Sequence, residues 1–205
     1  MTTQDGSAPG SAGRADASPP GQAGILIVDD RQENLTAFEA VISSLGHEIV
    51  LAHSGAEALE RAFRKTFAVI VMDVRMPILG GFQTAAILRK REAYRVTPII
   101  FTSAYAVSAD DIAPSYVAGA TDFIETPADS ELLKYKVQAF IQLHFRNERI
   151  RTRARRFANE LEALKLEVAR NRQDKPLLDC FRALEETLLR LEVDLSGRGV
   201  DERIS

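Results

Sequence analysis

The sequence has few of the residues that build disulfide frameworks and metal clusters. Its 205 residues include one cysteine, no tryptophan and three histidines. A single cysteine, Cys180, cannot form a disulfide within the chain, and His47, His53 and His144 follow no metal-ligand spacing. No apolar run approaches the roughly 20 residues that a transmembrane helix requires, and the amino end lacks the pattern of a secretory signal. We therefore expect a cytoplasmic protein with no membrane partner.

An excess of positive charge is also missing. Lys and Arg together number 26 against 29 Asp and Glu, which gives a net charge of -3 at pH 7. This balance provides no overall attraction to nucleic acid or to an anionic membrane. The composition, with 45% hydrophobic and 27% charged residues, is that of a globular protein long enough for one domain and an appendage.

Regular elements are expected from Gly24 onward. Residues 1–23 consist mainly of Gly, Ala, Ser and Pro, so we predict a disordered tail. Five short apolar runs then alternate with helical patterns, and they predict strands at residues 24–28, 48–52, 68–72, 98–104 and 122–124. Between them, the sequence predicts a helix that begins with a capping box at Ser54, a helix from the Gly80-Gly81 pair to about Glu92, and a helix that begins near Ser108. This alternation predicts an α/β domain with a five-stranded parallel sheet and helices on both faces. A flavodoxin-like strand order of 2-1-3-4-5 is expected.

Acidic residues follow two of these strands where each strand ends. Asp29 and Asp30 come after the first strand, and Asp73 comes after the third. In the expected order these strands are neighbours, so the three carboxylates converge at one edge of the sheet. Carboxylates this close repel one another unless a cation neutralises them, and Mg²⁺ prefers such oxygen ligands. The alternative is that Asp29 and Asp30 only begin the first helix, where acids favour the helix dipole.

Four segments resemble the receiver domain of bacterial two-component response regulators: ILIVDDRQEN, VIVMDVRMPILGGF, PIIFTSA and GATDFIETP. The resemblance covers residues 24–144. It implies that Asp73 accepts a phosphoryl group from a histidine kinase or a phosphotransfer protein. It also implies a Mg²⁺ ion held by Asp30, Asp73 and the backbone carbonyl of Arg75, with Asp29 assisting. A carboxylate is an adequate nucleophile when a cation and nearby donors absorb charge on the phosphoryl oxygens.

The same resemblance assigns roles to three further residues. Ser103 corresponds to the hydroxyl that bonds the phosphoryl group, and Phe123 to the aromatic residue whose rotamer follows phosphorylation. The alternatives are a hydroxyl bonded to local backbone and an aromatic ring that only packs in its strand. Thr126 departs from the family, in which a lysine at this position nearly always contacts the phosphoryl oxygen. Threonine offers one neutral donor on a short stem, so we expect weaker phosphorylation or switching.

Residues 145–173 predict a coiled-coil extension of the helix that begins near Asp129. Apolar residues and one asparagine follow one another in steps of three and four: Phe140, Leu143, Asn147, Ile150, Ala154, Phe157, Leu161, Leu164 and Val168. Asn147 resembles the single buried asparagine of parallel coiled-coil dimers. We expect a homodimer through five of these residues: Asn147, Ile150, Phe157, Leu161 and Leu164. Residues 176–196 predict a second helix that either continues the dimer or folds back into a four-helix bundle, and residues 197–205 form a tail.

A dense run of arginines lies in the same extension: Arg146, Arg149, Arg151, Arg153, Arg155 and Arg156. A basic arm that enters the major groove of DNA is one interpretation. Against it, the arginines share their helix with the apolar residues, Glu148 lies among them, and no helix-turn-helix follows. We favour a solvated coiled-coil flank and expect no nucleic-acid partner.

The sequence thus predicts a response regulator, not an enzyme, that is phosphorylated on Asp73 and signals to an unknown protein through a dimerising tail. The second hypothesis is a pseudo-receiver, a dimeric scaffold or adaptor that no longer uses phosphate because Thr126 replaces the lysine. The two hypotheses differ in whether Asp73 is modified by acetyl phosphate and Mg²⁺.

Overall fold

A parallel sheet of five strands organises the amino-terminal part of the chain. The computed structural model describes residues 21–103, 121–125, 130–170 and 175–196. The strands are β1 (Gly24–Val28), β2 (Glu48–Ala52), β3 (Val69–Asp73), β4 (Ile99–Ser103) and β5 (Asp122–Glu125). All neighbouring strands are parallel, and their order is β2-β1-β3-β4-β5. The predicted flavodoxin-like fold is confirmed.

Five α-helices lie in the described residues: α1 (Gln32–Ser43), α2 (Gly55–Arg64), α3 (Gly81–Arg89), α4 (Ser130–Arg170) and α5 (Lys175–Ser196). The third helix was expected to reach Glu92, and that boundary is wrong. The chain leaves α3 at Arg89 and forms a 3₁₀ turn, which buries the Tyr94 ring and lets its hydroxyl donate to the carbonyl of Ala62 at 3.2 Å. The helix expected near Ser108 lies outside the described residues.

The sheet is covered on both faces, which explains why its strands are continuously apolar. All five residues of β1 are buried. Ile25 and Ile27 belong to the core cluster that includes residues of α1 and α4, whereas Leu26 and Val28 belong to the cluster that includes residues of α2 and α3. Burying each such side chain contributes about 1.5–3 kcal/mol. These two layers hold the carboxyl ends of the strands in place.

Helix α4 extends far beyond the sheet. Leu133, Val137 and Ile141 on its first turns are buried against the sheet. The Lys136 ammonium binds Asp122 Oδ2 at 2.6 Å and so joins α4 to β5. The helix then continues without a break to Arg170, a total of 41 residues or about 60 Å.

Helix α5 folds back along the outer part of α4. The Lys165 ammonium lies 2.6 Å from Glu185 Oε1, and Ala154, Ala158 and Leu161 of α4 lie beside Leu188 and Leu189 of α5. Because contacts earlier in α4 pair with contacts later in α5, the two helices are antiparallel. Of the two arrangements that the sequence left open, the second helix therefore folds back. None of the helices in the described part of the chain has the length and apolar character needed to cross a membrane.

Candidate functional site

Three aspartates lie at the carboxyl edge of the two central strands. Asp73 is the last residue of β3, and Asp29 and Asp30 follow β1 directly. Val28 is paired with Met72 in the register of β1 and β3, so Asp29 and Asp73 each stand one position beyond this pair. The parallel register thus brings together residues that are 44 positions apart in the sequence.

Asp29 is held by the first turn of α1. Its carboxylate is 1% exposed. Asp29 Oδ1 accepts hydrogen bonds from the Arg31 backbone N–H at 2.9 Å and the Asn34 side-chain amide at 3.0 Å, and Oδ2 also accepts from Asn34 at 3.0 Å. Burial raises the pKa of Asp29 despite these bonds. Asp29 therefore contacts the first turn of α1, as the alternative interpretation expected. Sequence reasoning missed the part that Asn34 plays in holding its carboxylate.

Asp73 is only partly buried and lies in a field of negative charge. Its Oδ2 accepts a hydrogen bond from the Arg75 backbone N–H at 2.9 Å. Burial and, next in importance, the charge of Asp29 raise the pKa of Asp73 to about 6, and Asp30 adds to the effect. At pH 7 the carboxylate is still mainly ionised. The ionised form is the one that can act as a nucleophile.

The residues at this edge of the sheet meet some of the requirements for binding a hard cation such as Mg²⁺. Among the residues that the structure describes, no group of three or more His, Cys, Asp or Glu is arranged to hold a metal ion. The three aspartates interact through their charges without forming a closed ligand cage. Mg²⁺ does not require such a cage, because it keeps several waters and binds one or two carboxylates. Asp30 is exposed, Asp73 is accessible, and a cation here would relieve the repulsion that raises the pKa of Asp73.

A glycine brings helix α3 close to the backbone of Asp73. The Gly81 N–H donates to the carbonyl of Val74 at 3.0 Å. A Cβ atom on Gly81 would lie 2.2 Å from the carbonyl oxygen of Asp73, so no other residue fits without moving that strand end. In the same loop Ile78 is fully exposed and has a φ of 67°, a conformation unusual for a β-branched residue. The sequence marked the paired glycines as the start of a helix but gave no sign of this contact.

Ser103 lies on β4, next to β3, and Phe123 lies on β5, the following strand of the sheet. Ser103 ends β4 and is buried at 5% exposure. The half-buried Phe123 ring stacks on Phe101 with 5.5 Å between ring centroids, and Phe82 of α3 lies 4.8 Å from Phe101. In this structure Phe123 therefore packs as a strand aromatic, and its predicted role as a switch stays a prediction. Sequence reasoning missed the three-ring cluster of Phe82, Phe101 and Phe123.

Thr126 lies outside the described residues. Lys136, which α4 places next to β5, does not supply the cation that Thr126 lacks. It binds Asp122 at the amino end of β5, whereas the three aspartates lie at the opposite, carboxyl edge of the sheet.

Comparison with known proteins gives consistent matches for the amino-terminal part of the chain. A family model described as the response regulator receiver domain matches residues 25–138. The CAI-1 autoinducer sensor kinase/phosphatase CqsS of Vibrio cholerae is 34% identical over 119 residues, which are 57% of this chain and 17% of that protein. The transcriptional regulatory protein ZraR of Klebsiella oxytoca is 30% identical over 114 residues, which are 55% of this chain and 25% of ZraR. The chain spans a quarter or less of the length of these two relatives.

A solved structure gives the same result. The chemotaxis response regulator CheY4 of Vibrio cholerae matches with a TM-score of 0.55 and 29% identity. The match covers 58% of this chain and 98% of CheY4. The part of the chain that resembles CheY4 is therefore a complete domain of that fold, and the outer part of the helical hairpin lies beyond it.

Proposed function

The chain belongs to the response regulator receiver domain family, and on that premise we propose that it accepts a phosphoryl group on Asp73 from a histidine kinase or a phosphotransfer protein. One observation carries the proposal. Asp73 is a half-buried, accessible carboxylate at the end of β3, at the sheet edge where Asp29 and Asp30 also lie. Burial and the charges of these two residues raise its pKa to about 6, so the group is still mainly ionised at neutral pH, as a nucleophile must be.

The proposed reaction is the displacement of a histidine nitrogen from phosphorus. A carboxylate oxygen of Asp73 forms a bond to phosphorus while the phosphorus–nitrogen bond of phosphohistidine breaks, and the leaving nitrogen keeps the electron pair. The product is an acyl phosphate on Asp73. Asp30, Asp73 and the backbone carbonyl of Arg75 would hold Mg²⁺, which when bound neutralises charge on the phosphoryl oxygens. Asp29 assists through its charge, because Asn34 and Arg31 already bind its oxygens.

Three further residues complete the proposed site. The Ser103 hydroxyl, at the end of β4, donates to the phosphoryl group, and Phe123 changes its packing against Phe101 when that bond forms. Thr126 contributes a neutral hydroxyl where the family carries an ammonium. Unit charges about 4 Å apart interact by roughly 4 kcal/mol at an effective dielectric near 20, before solvent and Mg²⁺ compensate. We expect phosphorylation to be slower than in a receiver with lysine, but not abolished.

The replacement of lysine by Thr126 also favours a second candidate function. The chain would then be a pseudo-receiver that keeps the fold and acts as a phosphate-independent dimeric scaffold or adaptor. The two candidates differ in a single measurable property, which is covalent modification of Asp73.

Intact mass after incubation with acetyl phosphate and Mg²⁺ tests the proposal directly. We expect the wild-type chain to gain one phosphoryl group and the Asp73→Asn variant to gain none. Thr126→Lys should raise the rate of modification, because it restores a cation next to the transferred group. If the wild type and Asp73→Asn both keep their unmodified mass, the scaffold is the correct function. Modification at a residue other than Asp73 would also contradict the proposal.

The output that we propose is protein binding through the helical hairpin of α4 and α5, with no catalytic step of its own. A row of exposed apolar residues on α4 supports contact with a second copy of the chain, and thus a homodimer. The histidine kinase or phosphotransfer protein and the downstream target are protein partners in the cytoplasm. No nucleic-acid contact is required, because Arg151 and Arg156 form ion pairs with Glu148 and Glu160 on their own helix.

A further inference from the structure

Helix α5 covers only one side of α4. Ala154, Ala158 and Leu161 face α5, and Leu161 is 5% exposed. A second row of apolar residues lies beside the side that α5 covers and stays exposed: Leu143, Ile150, Phe157 and Leu164, which are 43–51% exposed. We call this row the apolar stripe. Its members are seven residues apart, which is the repeat of a position in a coiled coil, so the stripe has the spacing that another helix needs.

A row of charged residues runs beside the apolar stripe. Each member lies three positions after a member of the stripe, and all four are exposed: Arg146, Arg153, Glu160 and Glu167. We call this row the charged edge. Its first half is positive and its second half is negative. A helix that packs on the stripe therefore meets a positive charge near residue 146 and a negative charge near residue 167.

We propose that the apolar stripe packs on the same stripe of a second copy of the chain, with the two α4 helices antiparallel and centred near Phe157. This inference rests on the proposed dimer and assigns its orientation. In such a dimer Ile150 lies opposite Leu164 of the partner subunit. Arg153 comes beside Glu160 of the partner subunit, and Arg146 comes beside Glu167 of the partner subunit. A two-fold axis generates each of these pairs twice.

The parallel arrangement, which the sequence favoured, lacks these attractive contacts. Its two-fold axis runs along the helices, so the charged edges of the two copies lie on opposite sides of the interface, and Arg153 and Glu160 meet no residue of the partner's charged edge. Leu161 of the expected seam is also buried under α5 of the same chain, so it contributes to the hairpin and not to the contact between copies.

One contact within the helix competes with the proposed pairing. Glu160 Oε1 accepts from Arg156 Nε at 3.0 Å, with 82% and 58% of the Arg156 and Glu160 side chains exposed. An exposed pair of this kind contributes little to stability. Since a carboxylate has two oxygens and several acceptor sites, Glu160 can keep Arg156 and also accept from Arg153 of the partner subunit.

The single cysteine of the chain provides a measurement of the orientation. Cys180 is exposed on α5. The Lys165–Glu185 pair sets the register of the hairpin, so Cys180 lies beside the end of α4, about 13 residues or about 20 Å from Phe157 along the axis. Antiparallel helices centred on Phe157 separate the two Cys180 residues by about 40 Å or more. Parallel helices bring them within about 20 Å, roughly two helix diameters.

Pulsed electron spin resonance on the full chain, spin-labelled at Cys180, tests the orientation. Sedimentation first establishes the dimer, and Phe157→Glu, checked for helicity by circular dichroism, serves as the variant that should be monomeric. We expect a distance near 40 Å. A dimer with a distance below about 25 Å overturns the antiparallel orientation but leaves the proposed dimer intact. A wild-type chain that sediments as a monomer overturns both.

A charge exchange gives a second, independent test. Arg153→Glu should weaken the antiparallel dimer about tenfold, because two attractive contacts become repulsive. Adding Glu160→Arg on the same chain re-forms both contacts and should restore the dissociation constant to within about threefold of the wild type. In a parallel dimer residue 153 meets no residue of the partner's charged edge, so the single substitution should leave the dissociation constant nearly unchanged. An unchanged dissociation constant in Arg153→Glu would overturn the proposal.

Discussion

The charge environment of Asp73 is the residue-scale feature on which the proposed chemistry depends. Burial and the neighbouring carboxylates disfavour its ionised form and raise its pKa to about 6. The unfolded chain has no such environment, so the residue ionises there near its ordinary value of 3.8. The folded protein therefore binds this proton more tightly than the unfolded chain does, and stability depends on pH.

This pKa difference predicts a loss of stability as the pH rises. The contribution of Asp73 is fully present below about pH 4 and disappears as the pH passes through about 6. In the absence of divalent cations, we expect it to lower the free energy of unfolding by on the order of 2 kcal/mol between pH 4 and pH 7. Urea denaturation across this range measures the effect. Asp73→Asn cannot ionise and should be the more stable protein at pH 7.

The difference in free energy of unfolding between the wild type and Asp73→Asn separates the contribution of Asp73 from that of the other acidic residues. If the free energies of unfolding of the wild type and Asp73→Asn change in parallel with pH, the assigned pKa is wrong. Addition of Mg²⁺ at pH 7 should stabilise the wild type more than Asp73→Asn, because the cation relieves a repulsion that the amide does not have.

The contact of Gly81 with the backbone of Asp73 leads to a second prediction. In Gly81→Ala the new Cβ would lie 2.2 Å from the Asp73 carbonyl oxygen, so the start of α3 or the end of β3 must move. We expect a loss of about 1–3 kcal/mol in stability and slower modification by acetyl phosphate. Gly80→Ala is the matched control, since its Cβ would come only within 3.3 Å of the Val74 carbonyl oxygen. Equal effects of the two substitutions on the rate would show that the contact does not position Asp73.

At the scale of elements, regular patterns in the sequence were the reliable guide. The alternation of apolar runs with helical patterns predicted the five strands and their order. The capping residue Ser54 predicted the start of α2 correctly, since the Ser54 hydroxyl accepts a hydrogen bond from the Glu57 N–H at 3.1 Å. The end of α3 was missed because burial of Tyr94 outweighs helical propensity there. The contacts of Asn34 and Gly81 were missed because they depend on close approach in space, which no periodicity records.

The hairpin of α4 and α5 has its own packing interface. Leu161 is its buried residue, at 5% exposure, whereas Leu166 on the same helix is 57% exposed. Leu161→Ala should destabilise the hairpin by about 2 kcal/mol or more because it leaves a cavity. Hydrogen exchange should then show faster exchange in α5 and unchanged protection in the strands. Leu166→Ala should change neither the stability of the hairpin nor the exchange rates in α5. Equal effects of the two substitutions would contradict the assigned interface.

At the scale of the whole molecule, the sequence predicted a helix that extends beyond the domain. It left open whether the second helix folds back, and it did not show which side of α4 is exposed. The steps of three and four that run through Leu161 and Phe157 describe one broad apolar face. Only the position of α5 divides that face into a covered side and the exposed stripe. The orientation of a dimer depends on this division, and therefore on tertiary structure that local sequence patterns do not encode.

Because α4 runs from the buried Val137 to the exposed Phe157 without a break, one continuous helix joins the sheet to the outer hairpin. The direction in which the hairpin faces is therefore set by the number of residues between them, at about 100° and 1.5 Å for each residue. One residue inserted after Leu143 would turn the hairpin by about 100°, whereas seven would lengthen the helix and almost restore the original direction.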